Sequence, residues 1–339
     1  MDTLQAAPFK KGDKAHIISP SAGLMPFVKQ RVQRAKANLE KLGYQVVIGK
    51  SAASNLGYVS AKIDERIEDI HTAFKDKSCS LILCSIGGNH SNQLLSNLNY
   101  KLIKDNPKAF CGYSDITVLH LAFLAKTGLQ TFYGPTFLNQ FGEYPEVLPY
   151  TLDHFKRVVM QRQGTGVLKS GEKYTDEILD WFTNEDAKRP RKLVRNKGLE
   201  TWKQGKTEGW CLPFTIPSIN HILNTPYMPS RKQAVLFIDI PEGGSMHEGL
   251  SISDFDSWFS DLGNSGIFKQ TAGIVIGRAY KYSEEMVVEL QKIVSERTLS
   301  YEFPVIYGID MGHTDPMTTL PYNAKVVIDT YANNLITLE

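Results

Sequence analysis

The sequence lacks the features that mark membrane, secreted and metal-binding proteins. No stretch of its 339 residues approaches the roughly 18 apolar residues that cross a bilayer, and residues 1–14 contain no apolar signal-peptide core. Cys79, Cys84, Cys111 and Cys211 show no C-x-x-C spacing, which favours reduced, mostly buried thiols over a disulfide or zinc framework. These absences predict a cytoplasmic protein with no membrane partner and no metal.

The chain also has no large excess of either positive or negative residues. The chain has 38 Lys+Arg against 36 Asp+Glu, a formal net charge of +2. One dense basic run, residues 188–192, contains a proline and has acidic neighbours, so we expect a solvated loop rather than a track for phosphates. The sequence therefore predicts no nucleic-acid partner.

What is present is a regular alternation of short apolar runs and amphipathic stretches. With 42% hydrophobic residues, the chain can bury a full core, and its length suits two domains or one large one. In the first half, the pattern predicts strands over residues 14–19, 44–48, 80–85 and 109–113, and helices over 28–42, 61–74, 91–98 and 116–125. Strand, loop and helix at this spacing predict a parallel sheet covered by helices on both faces.

A second α/β block follows a change in character between residues 160 and 205, which are charged and weakly periodic. The pattern then predicts strands over 234–240, 272–276, 304–307 and 325–329, and helices over 252–262 and 284–296. We therefore expect an N-terminal domain over residues 1–165, a connecting excursion over 166–205, and a C-terminal domain over 206–339.

Reactive side chains follow three of the predicted strands, where open parallel sheets bind their ligands. Ser114 lies between a strand and a helix, and Gly112 precedes it by two residues, as in the front half of a nucleophile elbow. The trailing glycine of that motif is replaced by Ile116. Taken alone, Ser114 or Asp115 could simply cap the helix.

The other two strand ends carry carboxylates and a histidine. Asp239 lies at the end of the strand at 234–240, Glu242 follows it, and His313 lies in a polar turn after the strand at 304–307. A serine hydroxyl becomes a good nucleophile when an imidazole accepts its proton, and the imidazole needs a carboxylate to hold its tautomer. Either carboxylate could orient His313, although each residue alone could be structural.

The Gly87-Gly88 turn offers backbone N–H groups that can approach a substrate oxygen, as an oxyanion hole requires. A phosphate-binding loop is a weaker interpretation, because no Gly-Lys-Ser/Thr follows these glycines.

Four motifs, in this order, resemble those of the LD-carboxypeptidases among the S66 serine peptidases. They are SIGG at residues 85–88, GYSDIT at 112–117, FYGP at 132–135 and GHTDPMTTLP at 312–321. The resemblance extends from Gly12 to Asp329. Residues 86–95, and PYMP at 226–229, look more like the microcin C self-immunity branch than the murein tetrapeptidase branch.

The resemblance implies roles for individual residues. Ser114 would be the nucleophile, His313 the general base, and the backbone N–H groups of Gly88 and Asp115 the oxyanion hole. The family places a glutamate where this chain has Asp239, which is one methylene shorter. We favour Asp239 as the orienting acid, with Glu242 as the alternative.

The resemblance also implies where substrate binds. Gly87 and Asn89 would lie against it, and Trp181 and Trp202 occur in the excursion, where the microcin branch has an aromatic residue that stacks on a nucleobase. That branch usually has a glycine- and asparagine-containing stretch after Gly209, and here residues 210–217 read WCLPFTIP. The substitution leaves the identity of the substrate open.

These inferences predict an α/β protein with a flavodoxin/Rossmann-like N-terminal domain and the site in the cleft between two domains. The expected function is hydrolysis of an amide bond in an LD-peptide or an aminoacyl-nucleotide-like compound, without a cofactor, by what family members suggest is a homodimer. Two alternatives are a protein that sequesters such a ligand without turnover, and an esterase or acyltransferase acting on small acyl substrates.

Overall fold

The computed structural model describes residues 3–230, 232–332 and 336–339 of the chain. Its helices are α1 Lys29–Lys41, α2 Ile63–Lys75, α3 Tyr100–Asp105, α4 Thr117–Thr127, α5 Pro149–Phe155, α6 Ile216–Ile219, α7 Ile252–Asn264 and α8 Glu284–Arg297. Its strands are β1 Lys14–Ile18, β2 Gln45–Ile48, β3 Cys79–Cys84, β4 Ala109–Gly112, β5 Phe132–Tyr133, β6 Gly166–Val167, β7 Lys173–Tyr174, β8 Val194–Arg195, β9 Glu200–Lys203, β10 Lys206–Thr215, β11 Ala234–Asp239, β12 Thr271–Gly277, β13 Val305–Ile309, β14 Leu320–Pro321, β15 Lys325–Asp329 and β16 Ile336–Leu338.

The N-terminal sheet has the strand order β14-β5-β4-β3-β1-β2 within the described residues. Strands β1 to β5 pair in parallel. The central strand β3 has the sequence CSLILC, and all but one of its residues are buried. A continuous apolar run of this kind is typical of a strand covered on both faces.

The C-terminal sheet has the order β6-β16-β15-β10-β11-β12-β13-β9. Its centre, β10 to β13, is parallel, and the flanking pairs are antiparallel. Strand β11, with the sequence AVLFID, is buried along its whole length. The expected α/β architecture with two parallel-rich sheets is therefore confirmed.

Two connections join the sheets in ways that the predicted domain boundaries do not anticipate. Strands β6 and β9 come from the connecting excursion but belong to the C-terminal sheet. Strand β14 lies in the C-terminal part of the sequence but pairs with β5, at the edge of the N-terminal sheet. The segment 310–319 therefore crosses from one sheet to the other, and His313 lies within it.

The helix predicted over residues 91–98 is wrong in its extent. A short 3₁₀ turn covers Ser91–Leu94, and α3 starts later, where the Asn99 side chain accepts a hydrogen bond from the N–H of Leu102. An asparagine at this position is a strong helix N-cap, so the chain begins a new helix there.

The cysteines and the helices bear on the class of protein. Cys79, Cys84, Cys111 and Cys211 are free and buried, as predicted. Among the described helices, none has the length and apolarity needed to span a bilayer.

Candidate active site

Ser114 lies directly after β4, in a sharp turn that leads into α4. Its backbone has φ +64°, a left-handed conformation that is strained for a residue with a side chain. Such strain costs about 1–3 kcal/mol and persists where surrounding structure imposes it. Gly87 contributes to this crowding, since a Cβ at that position would lie 2.8 Å from Ser114 Cβ and 3.0 Å from its Oγ. The geometry is that of a nucleophile elbow even though Ile116 replaces its last glycine.

His313 bridges Ser114 and Asp239. Its Nε2 lies 3.2 Å from Ser114 Oγ, and its Nδ1 lies 2.8 Å from Asp239 Oδ2. The three side chains come from the ends of β4, β11 and the turn after β13, three positions that the sequence singled out. Their order, hydroxyl to imidazole to carboxylate, is the arrangement that activates a serine.

The short side chain of Asp239 reaches His313 because the backbone at Gly312 comes very close to it. Gly312 has φ +83°, and a Cβ there would lie 1.7 Å from Asp239 Oδ1. The N–H of His313 also donates to Asp239 Oδ1 at 3.2 Å. The close approach of the backbone therefore brings the Asp239 carboxylate within hydrogen-bonding distance of both His313 N–H and Nδ1.

Two further side chains hold Asp239, and neither was predicted from the sequence to have a role. The Tyr133 hydroxyl donates to Asp239 Oδ2 at 2.7 Å, and the Thr215 hydroxyl donates to the same oxygen at 2.8 Å. Asp239 is completely buried, so these bonds stabilise a charge that water cannot reach. Only their positions in the sequence could have indicated a role: Tyr133 lies in the FYGP motif, and Thr215 lies in the divergent segment 210–217.

Glu242 occupies a different position beside the same imidazole. Its Oε2 lies 3.4 Å from His313 Nε2, and its side chain is 29% exposed. It therefore faces the nitrogen that points toward Ser114, whereas Asp239 holds the opposite nitrogen. Asp239 is the carboxylate whose geometry fits orientation of the ring.

The charges around His313 change its titration. Burial by itself lowers the pKa of His313, but the carboxylates of Asp239, Glu242 and Asp315 more than offset it and raise the pKa to about 9. This shift favours the protonated imidazole, so the ring must lose its proton before it can act as a base.

The glycine turn after β3 packs against the Ser114 turn. Gly88 has φ +140°, and a Cβ there would lie 2.4 Å from Ser21 Oγ. Asp115, which has no exposed surface, accepts hydrogen bonds from the N–H groups of His90 and Ser91, both at 2.9 Å. These contacts fix the backbone of Gly87 and Gly88 beside Ser114.

Two cavities open on either side of Ser114. The first, which we call the aromatic cavity, has a volume of about 600 Å³; Ser114 and His313 line it, together with an apolar set. That set comprises Leu24, Ile86, Trp181, Phe182 and Met246. The second, which we call the acidic cavity, has a volume of about 570 Å³ and is lined by Ser114, Gly88, Asn89 and three carboxylates, those of Glu242, Glu248 and Asp254.

The two tryptophans proposed for substrate binding have different surroundings. Trp181 lines the aromatic cavity, and the Arg31 guanidinium lies 4.0 Å from the centre of its ring. Trp202 stacks on Tyr307 at 4.6 Å and is absent from the described residues that line either cavity. Strand β9 carries the Trp202 ring onto Tyr307 of the C-terminal sheet, so Trp181 is the tryptophan that the structure places at the site.

Most of the basic run at 188–192 is exposed, as expected of a solvated loop, and Arg191 is the exception. Arg189 pairs with Glu177 at the surface, but the Arg191 side chain is 17% exposed and lies 2.7 Å from both Glu143 and Asp315. Backbone bonds between Thr175 and Asp315 join the same segments. The excursion therefore holds the turn that contains His313.

Within the part of the chain that the structure describes, no group of three or more His, Cys, Asp or Glu side chains is arranged to hold a metal ion.

Comparisons with known proteins agree with the architecture. Residues 15–134 match the LD-carboxypeptidase N-terminal domain, and residues 205–328 match the LD-carboxypeptidase C-terminal domain. A protein of Treponema pallidum that carries a carboxypeptidase name is 33% identical over 94% of this chain and 90% of its own. The microcin C7 self-immunity protein MccF of Escherichia coli is 32% identical over 96% of this chain and 93% of its own.

Solved structures are similar to this chain over its whole length. The wild-type apo structure of MccF has a TM-score of 0.88 and 31% identity, covering 99% of this chain and 98% of its own. MccF in complex with aspartyl sulfamoyl adenosine has a TM-score of 0.87, with 31% identity and the same coverage. The two matched domains and the whole-chain similarity lead to one conclusion: this chain belongs to the LD-carboxypeptidase family, the S66 peptidases.

Proposed function

We propose that this protein is a serine hydrolase that cleaves an amide bond through an acyl-enzyme on Ser114. The observation that carries the proposal is the continuous contact from Ser114 Oγ to His313 to buried Asp239, at 3.2 and 2.8 Å. These distances are within, or at the edge of, the range for a nucleophile, its base and the orienting acid.

In the proposed first step, His313 Nε2 accepts the proton of Ser114 as Oγ attacks the carbonyl carbon. The N–H groups of Gly88 and Asp115 would bind the resulting oxyanion. His313 then gives its proton to the leaving nitrogen as the C–N bond breaks, which leaves an ester on Ser114. Water, deprotonated by His313, attacks that ester and releases the acid and free Ser114.

The aromatic cavity supports a substrate whose leaving group is large and flat. Its lining is mostly apolar around the Trp181 and Phe182 rings, and rings of this kind stack on heteroaromatic groups. The similarity to MccF, which has been solved with aspartyl sulfamoyl adenosine, favours an aminoacyl-nucleotide-like substrate. An LD-peptide remains the other member of the proposed substrate class.

Replacement of Ser114 tests the proposal. We expect Ser114→Ala to reduce hydrolysis of aminoacyl sulfamoyl adenosines and LD-peptides by about 10³-fold or more, because the nucleophile is lost. Ser295→Ala, on the exposed surface of α8, is the matched control and should retain full activity. Equal turnover by Ser114→Ala and the wild type would contradict the proposal.

A fluorophosphonate probe distinguishes the hydrolase from a protein that only sequesters its ligand. We expect covalent labelling of Ser114, which requires an activated hydroxyl. Tight ligand binding without labelling would favour sequestration instead. A panel of activated esters compared with peptides separates the amide hydrolase from an esterase or acyltransferase.

A further inference from the structure

The acidic cavity has an unbalanced charge. Glu242, Glu248 and Asp254 line it, and neither lysine nor arginine is among its described lining residues. Glu248 and Asp254 are exposed to solvent and form no ion pair with any described residue. Glu248 and Asp254 therefore offer negative charge that no described protein cation neutralises, whereas Glu242 lies 3.4 Å from His313 Nε2.

Other polar and aromatic groups of the cavity are also free to bind a ligand. Ser218 lines it and is only 5% exposed, and its hydroxyl forms no hydrogen bond within the described part of the chain. Trp258, half-buried against the core, lines the same cavity. An indole ring next to carboxylates is a favourable surface for an organic cation and its aliphatic stem.

The cations near the site are paired. Arg31 and Arg191 line a pocket beside His313. Arg31 lies 2.7 Å from Asp186, and Arg191 lies between Glu143 and Asp315. Like the acidic cavity, the aromatic cavity has carboxylates and no described lysine or arginine in its lining. The lack of unpaired cations is therefore common to both cavities, and Ser218 and Trp258 are the groups that distinguish the acidic one.

The position of His313 assigns a different part of the substrate to each cavity, on the basis of the proposed function. The leaving nitrogen must receive its proton from His313, so the leaving group lies on the side that His313 lines, which is the aromatic cavity. Ser114 lines both cavities, but His313 is absent from the described lining of the acidic cavity. The acyl group therefore extends into the acidic cavity.

We propose that the acidic cavity selects acyl groups with a positively charged side chain, such as a primary amine on an aliphatic stem. The ammonium group would donate hydrogen bonds to Glu248, Asp254 and the Ser218 hydroxyl, while its stem lies along Trp258. An acyl group with a negative side chain would meet like charge in the same place.

Binding to the Ser114→Ala variant tests this selection independently of turnover. The ligands are lysyl, norleucyl and glutamyl sulfamoyl adenosine, which share the leaving group and differ in side-chain charge. Isothermal titration calorimetry should give about tenfold tighter binding of the lysyl than of the norleucyl compound, since exposed ion pairs each contribute up to a few-fold. The glutamyl compound should bind weakest.

Removal of the carboxylates should abolish the preference. Glu248→Gln, and Glu248→Gln with Asp254→Asn, should reduce the lysyl-to-norleucyl ratio stepwise toward one, without weakening the norleucyl compound. Glu296→Gln, on the exposed surface of α8, is the matched charge control and should leave the ratio unchanged. Thermal melting of each variant checks that the fold is retained.

The outcomes separate this inference from the proposed function. Equal binding of the lysyl and norleucyl compounds, tighter glutamyl binding, or no binding of any compound overturns the charge selection. Hydrolysis that depends on Ser114 but shows no preference for the lysyl compound overturns the selection and retains the hydrolase. Hydrolysis that does not depend on Ser114 overturns the hydrolase itself, whatever the binding order.

Discussion

Ser114 and His313 face each other across the cleft, but different forces hold them in place. Ser114 is fixed by backbone sterics, with its own φ at +64° and Gly87 so close that a methyl group there would meet its side chain. His313 is fixed by polar contacts, with Asp239 on one nitrogen and Glu242 near the other. The position of Ser114 depends on the lack of a side chain at residue 87, and the position of His313 depends on the carboxylates around its ring.

The two arrangements place different demands on the neighbouring residues. A methyl group at residue 87 would meet the Ser114 side chain. Asp239 instead reaches the imidazole because Gly312 lets the backbone come close, and Thr215 donates to the same carboxylate. A change at Gly87 should therefore disturb the serine, and a change at Asp239 should disturb the histidine.

The largest expected effect comes from removal of the charge that orients His313. We expect Asp239→Asn to reduce kcat by about 10³–10⁴-fold, because an amide no longer holds the productive tautomer. Stopped-time assays with a saturating aminoacyl sulfamoyl adenosine measure this loss, and circular dichroism checks the fold. A folded Asp239→Asn variant with near wild-type kcat would show that Glu242 is the orienting acid.

The next effect tests the steric side of the comparison. Gly87→Ala places a methyl group 2.8 Å from Ser114 Cβ, so we expect kcat/KM to fall by about 10²-fold as the hydroxyl shifts. Gly263→Ala in α7, where the added methyl would approach only the Phe268 ring, is the matched control. Unchanged kcat/KM and fluorophosphonate labelling in Gly87→Ala would contradict the importance of this contact.

The smallest effect concerns pH. The pKa of His313 is raised to about 9, and a general base must be deprotonated, so we expect kcat/KM to increase with pH up to about pH 9. Glu242→Gln removes a negative charge 3.4 Å from Nε2. Less stabilisation of the cation lowers the pKa, so the rising limb should move to lower pH, by about one unit or less.

This profile is best measured with the norleucyl substrate, because its side chain is uncharged and does not respond to changes of charge in the acidic cavity. Glu296→Gln provides the control for loss of a remote charge. A limb that stays in place, or moves to higher pH, in Glu242→Gln would mean that Glu242 does not stabilise the protonated imidazole.

Residues with a local signature could be predicted from the sequence. The apolar runs of β3 and β11 indicate strands buried on both faces, and Ser114 and His313 lie in motifs just beyond such strands. The fold class and the family were accessible for this reason. By contrast, Tyr133, Thr215 and Arg191 act through partners far away in sequence, and no periodicity indicates which partner each will meet.

The sequence by itself determined the α/β architecture, the buried thiols and the turns in which Ser114 and His313 lie, because hydrophobic period and glycine placement are local properties. Tertiary structure sets which carboxylate holds Nδ1 of the imidazole, and it places Trp181 rather than Trp202 in the lining of the aromatic cavity. Each of these depends on how separate strand ends converge, since the crossing of segment 310–319 between the sheets brings His313 to Ser114. Distances across such a cleft are set by packing of the whole core, which a linear pattern does not encode.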